Sequence, residues 1–206
     1  CDVELRQDRS LFPSICGDFA ERMKQTGESA IELLRHLCKT SERWDKSREE
    51  EYGERIEEEL SVIENMGFPE YLLICKDVID WANSNGHTSG SGRGSVGGSF
   101  TAYLIGIHSA HSIDAGLPFW RFLNKERVSM PDIDIDFPPS GREAVIRHIA
   151  ETFGSENVCG IGTSHRIQAR ACIQNWARLT GTDMATASRF TATVDQGATF
   201  KMLMER

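Results

Sequence analysis

Ser129-Met130-Pro131-Asp132-Ile133-Asp134-Ile135-Asp136-Phe137-Pro138 alternates acid and hydrophobe strictly from Asp132 to Phe137. A period of two belongs to extended backbone, whose successive side chains point to opposite faces. The spacing therefore predicts a β-strand with Asp132, Asp134 and Asp136 on one face and Ile133, Ile135 and Phe137 on the other. A row of carboxylates repels itself and suits either a bound cation or the solvated face of an edge strand, where charge blocks aggregation. Residues two apart on a strand lie roughly 6.6–6.8 Å apart, and residues four apart roughly 13 Å. Neighbouring acids can hold one or two divalent ions between them, whereas Asp132 and Asp136 cannot share one. Two ions about 3.5–4 Å apart are a standard device for in-line displacement at phosphorus.

Upstream lies a second informative stretch, Ser89-Gly-Ser-Gly-Arg-Gly-Ser-Val-Gly-Gly-Ser99. Its glycines let backbone approach a ligand closely. The following Phe-Thr-Ala-Tyr-Leu-Ile-Gly reads as a helix, which puts Ser95 near an N-terminus, where free N–H groups and the helix dipole favour phosphate. Arg93 adds a permanent charge and Ser95 a hydroxyl. The stretch lacks the Lys of a P-loop and the third glycine of a dinucleotide fingerprint, and its bland alternative is a flexible Gly/Ser linker.

The chain has 206 residues, 39% hydrophobic and 26% charged, the composition of one globular domain or one plus part of another. No apolar run approaches the roughly 20 residues of a membrane span, and no secretory signal is visible. The sequence starts Cys-Asp-Val-Glu-Leu without an initiator Met, so an excised piece of a longer protein is expected. Six scattered cysteines without a C-x-x-C pair argue against zinc or a disulfide framework and fit a reducing compartment, with Cys75 and Cys172 expected as buried thiols. Net charge is −8, unevenly spread: residues 1–138 carry 15 basic and 25 acidic side chains, residues 139–206 carry 8 and 6. Much of the acid lies in Glu49–Glu59, read as a solvated helix face remote from the site, which reconciles the net charge with an anionic substrate.

Helical spacing recurs along the chain. Ser29–Lys39 reads as a short helix; a Ser47–Glu50 capping box opens a second with Tyr52, Ile56, Leu60, Ile63 and Met66 as its stripe, stopped by Gly67. Pro69 starts a central helix running to Asn85-Gly86, in which Trp81 is expected to pack rather than stack on a base. His108 and His111 read as surface histidines rather than metal ligands, and Phe119–Asn124 as a short buried helical turn. Ser140–Glu143 is a second capping box, Asn157–Ile161 a candidate strand, and His165–Leu179 a helix burying Ile167, Ala171, Ile173 or Cys172, and Trp176. Arg166, Arg170 and Arg178 along that helix suit either a phosphate backbone or a solvated basic face.

A G-R-G-S-x-x-G-S loop opening a helix, followed by P-D-x-D-x-D-F, resembles one family closely: the bacterial C-family replicative DNA polymerases, the polymerase III alpha subunits. Asn65–Tyr71, Ala102–Ile107, Arg121–Asp132 and the segment from Gly162 to Arg178 add to the resemblance, which runs from about Arg55 to Gly181. It implies an α/β (α+β) polymerase-beta-like nucleotidyltransferase palm, a mixed sheet flanked by helices, over residues 1–161, with the start of a helical thumb at 162–206. It implies template-directed DNA synthesis in which Asp132 and Asp134 are the catalytic, metal-binding acids for two Mg²⁺ ions (Mn²⁺ can substitute). Gly94 and Ser95, with Arg93 beside them, match the motif that holds the incoming triphosphate. Implied partners are primer-template DNA, deoxynucleoside triphosphates and other replication proteins, in the cytoplasm and away from membranes. The family's third catalytic Asp has no counterpart in the matching context, so the piece is expected to be inactive alone. Competing readings are a triphosphate-binding remnant without turnover and another nucleotidyltransferase of the same fold.

Overall fold

The computed structural model describes residues 14–15, 17–124, 131–163 and 167–195. The chain divides into two compact units, residues 1–159 and 160–206. Described helices of the first unit are α1 (Gly17–Thr26), α2 (Ala30–Lys39), α3 (Glu49–Met66), α4 (Pro69–Ser84), α5 (Phe100–Leu104) and α6 (Pro139–Phe153). The second unit holds α7 (Ala169–Thr180) and α8 (Met184–Ala192).

The expected mixed sheet is overturned: the fold is helical, and the described residues contain no strand, only an isolated antiparallel bridge between Arg93 and Asp134. The reason is a shortage of partners. Strand N–H and C=O groups must be taken up by a neighbouring strand. Among the described residues, Asp132–Phe137 has one extended neighbour, the loop through Gly90 and Arg93, which turns away into a 3₁₀ turn at Gly94–Gly98. The candidate strand at 157–161 is likewise absent; Ser155–Asn157 is a 3₁₀ turn and the backbone after it is irregular.

Helix stripes account for the core. Ile31, Leu34 and Cys38 of α2, Tyr52, Ile56, Leu60 and Ile63 of α3, and Leu72, Leu73 and Ile79 of α4 are all buried in one cluster. That cluster continues into Val96, Phe100 and Leu104, so the glycine-rich stretch rests directly on the helical core. Burying each such side chain contributes about 1.5–3 kcal/mol. A smaller cluster joins α4 to α6 through Val78, Ala82 and Val145, with Trp81 and Phe137 against it; Trp81 stacks on His148 with ring centroids 4.0 Å apart.

Helix ends follow the sequence in part. Gly67, in the left-handed region at φ +76°, closes α3, and Pro69 occupies the first turn of α4. Neither expected capping box forms. Asp45 accepts from the Ser47 backbone at 2.8 Å and nucleates a 3₁₀ turn, so α3 begins only at Glu49; α6 starts at Pro139, leaving Ser140 inside the helix. A capping box does form at Ser29 with Glu32.

In the second unit, α7 and α8 form a hairpin turned at Gly181 and capped by Asp183. Ala169 and Val194 are buried in it and Ile173 packs against them. Ile167 and Trp176, expected inside, are exposed, as are Leu179 and Phe190. Among the described residues no helix is long and apolar enough to cross a membrane.

Candidate active site

The glycine-rich loop and the acid segment lie side by side. Gly90 N–H donates to the Asp136 carbonyl at 2.8 Å, and Arg93 bridges to Asp134. The alternation seen in the sequence does sort the side chains: Ile133 and Ile135 pack against the main core and Phe137 against the smaller one. Asp132 and Asp136 are exposed, and the Asp134 side chain is one-third exposed. The Ile133 backbone is held by a hydrogen bond with Tyr71 of α4.

Arg93 spans two of the acids. Its Nε lies 3.0 Å from Asp136 Oδ2, and its Nη2 3.4 Å from Asp134 Oδ1. The hydrogen bond to Asp136 and the nearby Asp134 charge raise the guanidinium's already high pKa. Gly94 follows at φ +80°, and a Cβ built there would stand 2.9 Å from Asp134 Oδ2. Glycine is required twice over, by backbone conformation and by the closeness of the carboxylate. Ser95 comes next in the 3₁₀ turn, half-buried.

The back of the loop rests on His108. A Cβ at Gly92 would overlap His108 Cβ, and His108 Nε2 lies 2.9 Å from the Ser99 carbonyl. Burial lowers the His108 pKa, and because a carbonyl only accepts, it is the Nε2–H that donates to Ser99. His108 and His111 are therefore structural rather than superficial: His111 Nε2 pairs with the Tyr52 hydroxyl at 2.8 Å.

One participant was invisible to the sequence reading. Glu59, assigned to a solvated acidic face, is fully buried. Its carboxylate accepts from Arg55 Nε (2.7 Å), Ser99 Oγ (2.9 Å) and the backbone N–H groups of Phe100 (2.9 Å) and Thr101 (2.9 Å). Arg55 Nη2 also reaches the carbonyls of Gly98 and Leu117. Burial pushes the Glu59 pKa up, against the donors and the guanidinium that hold it charged. The signal was present in register: Glu59 falls seven residues after Tyr52 and three after Ile56, on the buried stripe, with Arg55 one turn before it. The Phe100 and Thr101 amides at the start of α5 thus already donate to Glu59, and the helix N-terminus expected near Ser95 lies at Phe100. Ser95 belongs instead to the preceding 3₁₀ turn.

The basic residues expected to meet nucleic acid are in the second unit. Arg170 Nε donates to the Val194 carbonyl at 2.7 Å, tying α7 to the end of α8. Arg178 is exposed and touches Asn175. Arg166 lies outside the described residues.

The donor set suits a hard cation. Carboxylate oxygens are the ligands that Mg²⁺ takes, commonly one or two of them with water and substrate phosphate completing the shell. The missing Cβ at Gly94 leaves the space beside Asp134 Oδ2 open. Among the described residues no group of three or more His, Cys, Asp or Glu forms a metal cage, so protein ligands alone do not complete a coordination sphere here.

Residues 32–206 match the family model of the bacterial DNA polymerase III alpha NTPase domain. The chain belongs to this family. Within the polymerase III alpha family it is 45% identical over 156 residues to the DNA polymerase III subunit alpha of Aquifex aeolicus (strain VF5), covering 76% of this chain and 13% of that relative. It is 39% identical over 194 residues to the DNA polymerase III subunit alpha of Staphylococcus aureus (strain COL), covering 94% of this chain and 18% of that relative. The chain thus spans less than a fifth of the length of these relatives. The span matched to the polymerase III alpha family contains the glycine-rich loop, the acid segment, Glu59 with Arg55, and all of the second unit.

Proposed function

We propose that this chain carries the triphosphate-binding and metal-binding part of a template-directed DNA polymerase, a nucleotidyltransferase that extends a primer 3′-hydroxyl from deoxynucleoside triphosphates. The observation that carries the reading is the contact between Gly94 and Asp134. A Cβ built at Gly94 would stand 2.9 Å from Asp134 Oδ2, so the close-approach backbone of the proposed phosphate loop lies next to a carboxylate suited to a divalent ion.

In this reading Asp132 and Asp134 would hold two Mg²⁺ ions, or Mn²⁺ in their place, which when bound would lower the pKa of the attacking 3′-hydroxyl and supply charge stabilisation for the leaving pyrophosphate. The chain's own residues bind and orient. Arg93 pairs with Asp134 and Asp136 and supplies the permanent positive charge for the triphosphate. Gly94 lets a phosphate approach the backbone, and the Ser95 hydroxyl donates to it. Asp136, which accepts from Arg93 Nε, serves the arginine rather than the ions. Sequence choice comes from template pairing.

Residues 162–206 are assigned the role of the start of a DNA-facing thumb, with Arg166 and Arg178 as the side chains that would meet phosphates. Arg170 serves the hairpin itself through Val194. The partners of the reading are primer-template DNA and other replication proteins, and its setting is the cytoplasm.

The test is Asp134→Asn in the natural polypeptide that contains these 206 residues. Mg²⁺-dependent primer extension is expected to vanish with thermal stability unchanged or higher, since repulsion among the acids is relieved. Extension that survives the change overturns the assignment. Transfer without a template points instead to another nucleotidyltransferase, and triphosphate binding without any transfer to a binding remnant.

A further inference from the structure

We infer that Glu59 is a positioning residue for the triphosphate loop, setting through α3 how far Gly94 and Ser95 stand from the acid segment; this rests on the function proposed above. The glycine-rich turn is short and pinned at both ends. At its front the Arg93–Asp134 bridge fixes it to the acids. At its rear Glu59 grips Ser99, Phe100 and Thr101, while Arg55 grips the Gly98 carbonyl. Between the two lie only the residues of the 3₁₀ turn Gly94–Gly98, with no slack to absorb a shift at either end.

Capping alone does not call for this arrangement. Ser99 already caps α5 by accepting from the Ala102 N–H at 3.1 Å. An ordinary core position at residue 59 would avoid the penalty of burying a charge. The carboxylate adds something a serine cap cannot. Its two oxygens each take a pair of donors, so the backbone at Phe100 and Thr101 is fixed in both translation and rotation relative to α3. Charge-assisted bonds of this kind are shorter and stiffer than neutral ones. Glu59 touches neither substrate nor reacting atoms in this account; it acts through the turn.

Glu59→Gln tests this, assayed by single-nucleotide incorporation in the natural polypeptide. An amide NH₂ in place of either oxygen faces a backbone N–H, of Phe100 or of Thr101, and pushes the turn away. KM for the deoxynucleoside triphosphate is expected to rise about tenfold, the worth of one charged hydrogen bond, with kcat largely kept. Leu73→Ala, in the core of α4, serves as the control for lost stability; it is expected to lower Tm at least as much and leave KM unchanged. A folded Glu59→Gln protein with the parent KM overturns the inference, as does an equal rise in KM for Leu73→Ala. Should Glu59→Gln fail to fold, Ser99→Ala removes one of the donors and keeps the carboxylate; a several-fold rise in KM is expected, and an unchanged KM overturns the inference. Asp134→Asn run alongside separates the two levels. If it still extends primers, the proposed function falls and this inference with it. If it is inactive while Glu59→Gln behaves as the parent, only the inference falls.

Discussion

Gly94 presents its backbone to Asp134 so closely that a Cβ would stand 2.9 Å from Oδ2, in a conformation, φ +80°, that L side chains rarely adopt. Gly94→Ala is therefore expected to cost about 1–2 kcal/mol from backbone strain alone, with more from displacing the carboxylate. Urea unfolding measures the stability loss. Primer extension should fall further than that loss explains, because the change moves Asp134. An alanine variant with parent stability and activity would show that the contact is not kept in solution.

Arg93 is 62% exposed, and its ion pairs with Asp134 and Asp136 are solvent-screened. Arg93→Gln should leave stability within about 0.5 kcal/mol. Its effect belongs to the ligand: affinity for the Mg²⁺–triphosphate complex is expected to fall about tenfold, from loss of a charged donor. Isothermal titration separates the two quantities. Unchanged affinity would remove Arg93 from the phosphate site.

Removing Glu59 alone leaves the partly buried Arg55 charge without its carboxylate and the buried Phe100 and Thr101 N–H groups without their acceptor. Glu59→Ala should cost about 3–5 kcal/mol by chemical denaturation. Adding Arg55→Met should restore part of it and not all, since the Phe100 and Thr101 N–H groups stay without their acceptor. Full restoration in the double variant would mean that the ion pair, not the grip on α5, is what matters.

His108 gives a pH signature. Burial lowers its pKa in the folded protein below the ordinary 6.5, so the unfolded chain binds a proton that the native one resists. Its contribution is fully present above pH 6.5 and is lost as pH falls below that value. Comparing unfolding free energy against pH for the parent and His108→Gln should show a slope in this range that the variant lacks. Equal slopes would place the proton uptake elsewhere.

Thiol reactivity should follow depth. Burial pushes the Cys75 thiol up to about 12 and the Cys38 thiol higher, while Cys159 is exposed. Alkylation at neutral pH followed by peptide mapping should modify Cys159 rapidly and Cys38 and Cys75 only on unfolding. Fast labelling of Cys38 would contradict the packing of α2.

The helices were legible because α2, α3 and α4 bury stripes that repeat at 3.6 residues, and Gly67 and Pro69 punctuate them in the expected way. The proximity of loop and acids was legible only through the family resemblance, since nothing local in either stretch names the other. A strand was inferred from the alternation at Asp132–Phe137, and the mixed sheet around it from the family resemblance. Alternation reports which side chains face inward, which held for Ile133 and Ile135, but says nothing about whether a neighbouring strand exists. Glu59 was missed because a run of glutamates reads as one solvated face. Only its register against Tyr52 and Ile56 marks it as the one that turns inward. The second hairpin helix, α8, lacks a strong apolar stripe and owes its start to the Asp183 cap.

The pairing of Arg93 with Asp134 joins points about forty residues apart in the chain, across α5 and the turns that follow it. Closing so long a loop carries an entropic cost that is recovered only once both ends are in place. Among the described residues neither segment has another extended partner to lean on. The two halves of the site should consequently become ordered as a pair, late in folding and after the helical core, so that a folding chain passes from having neither half to having both.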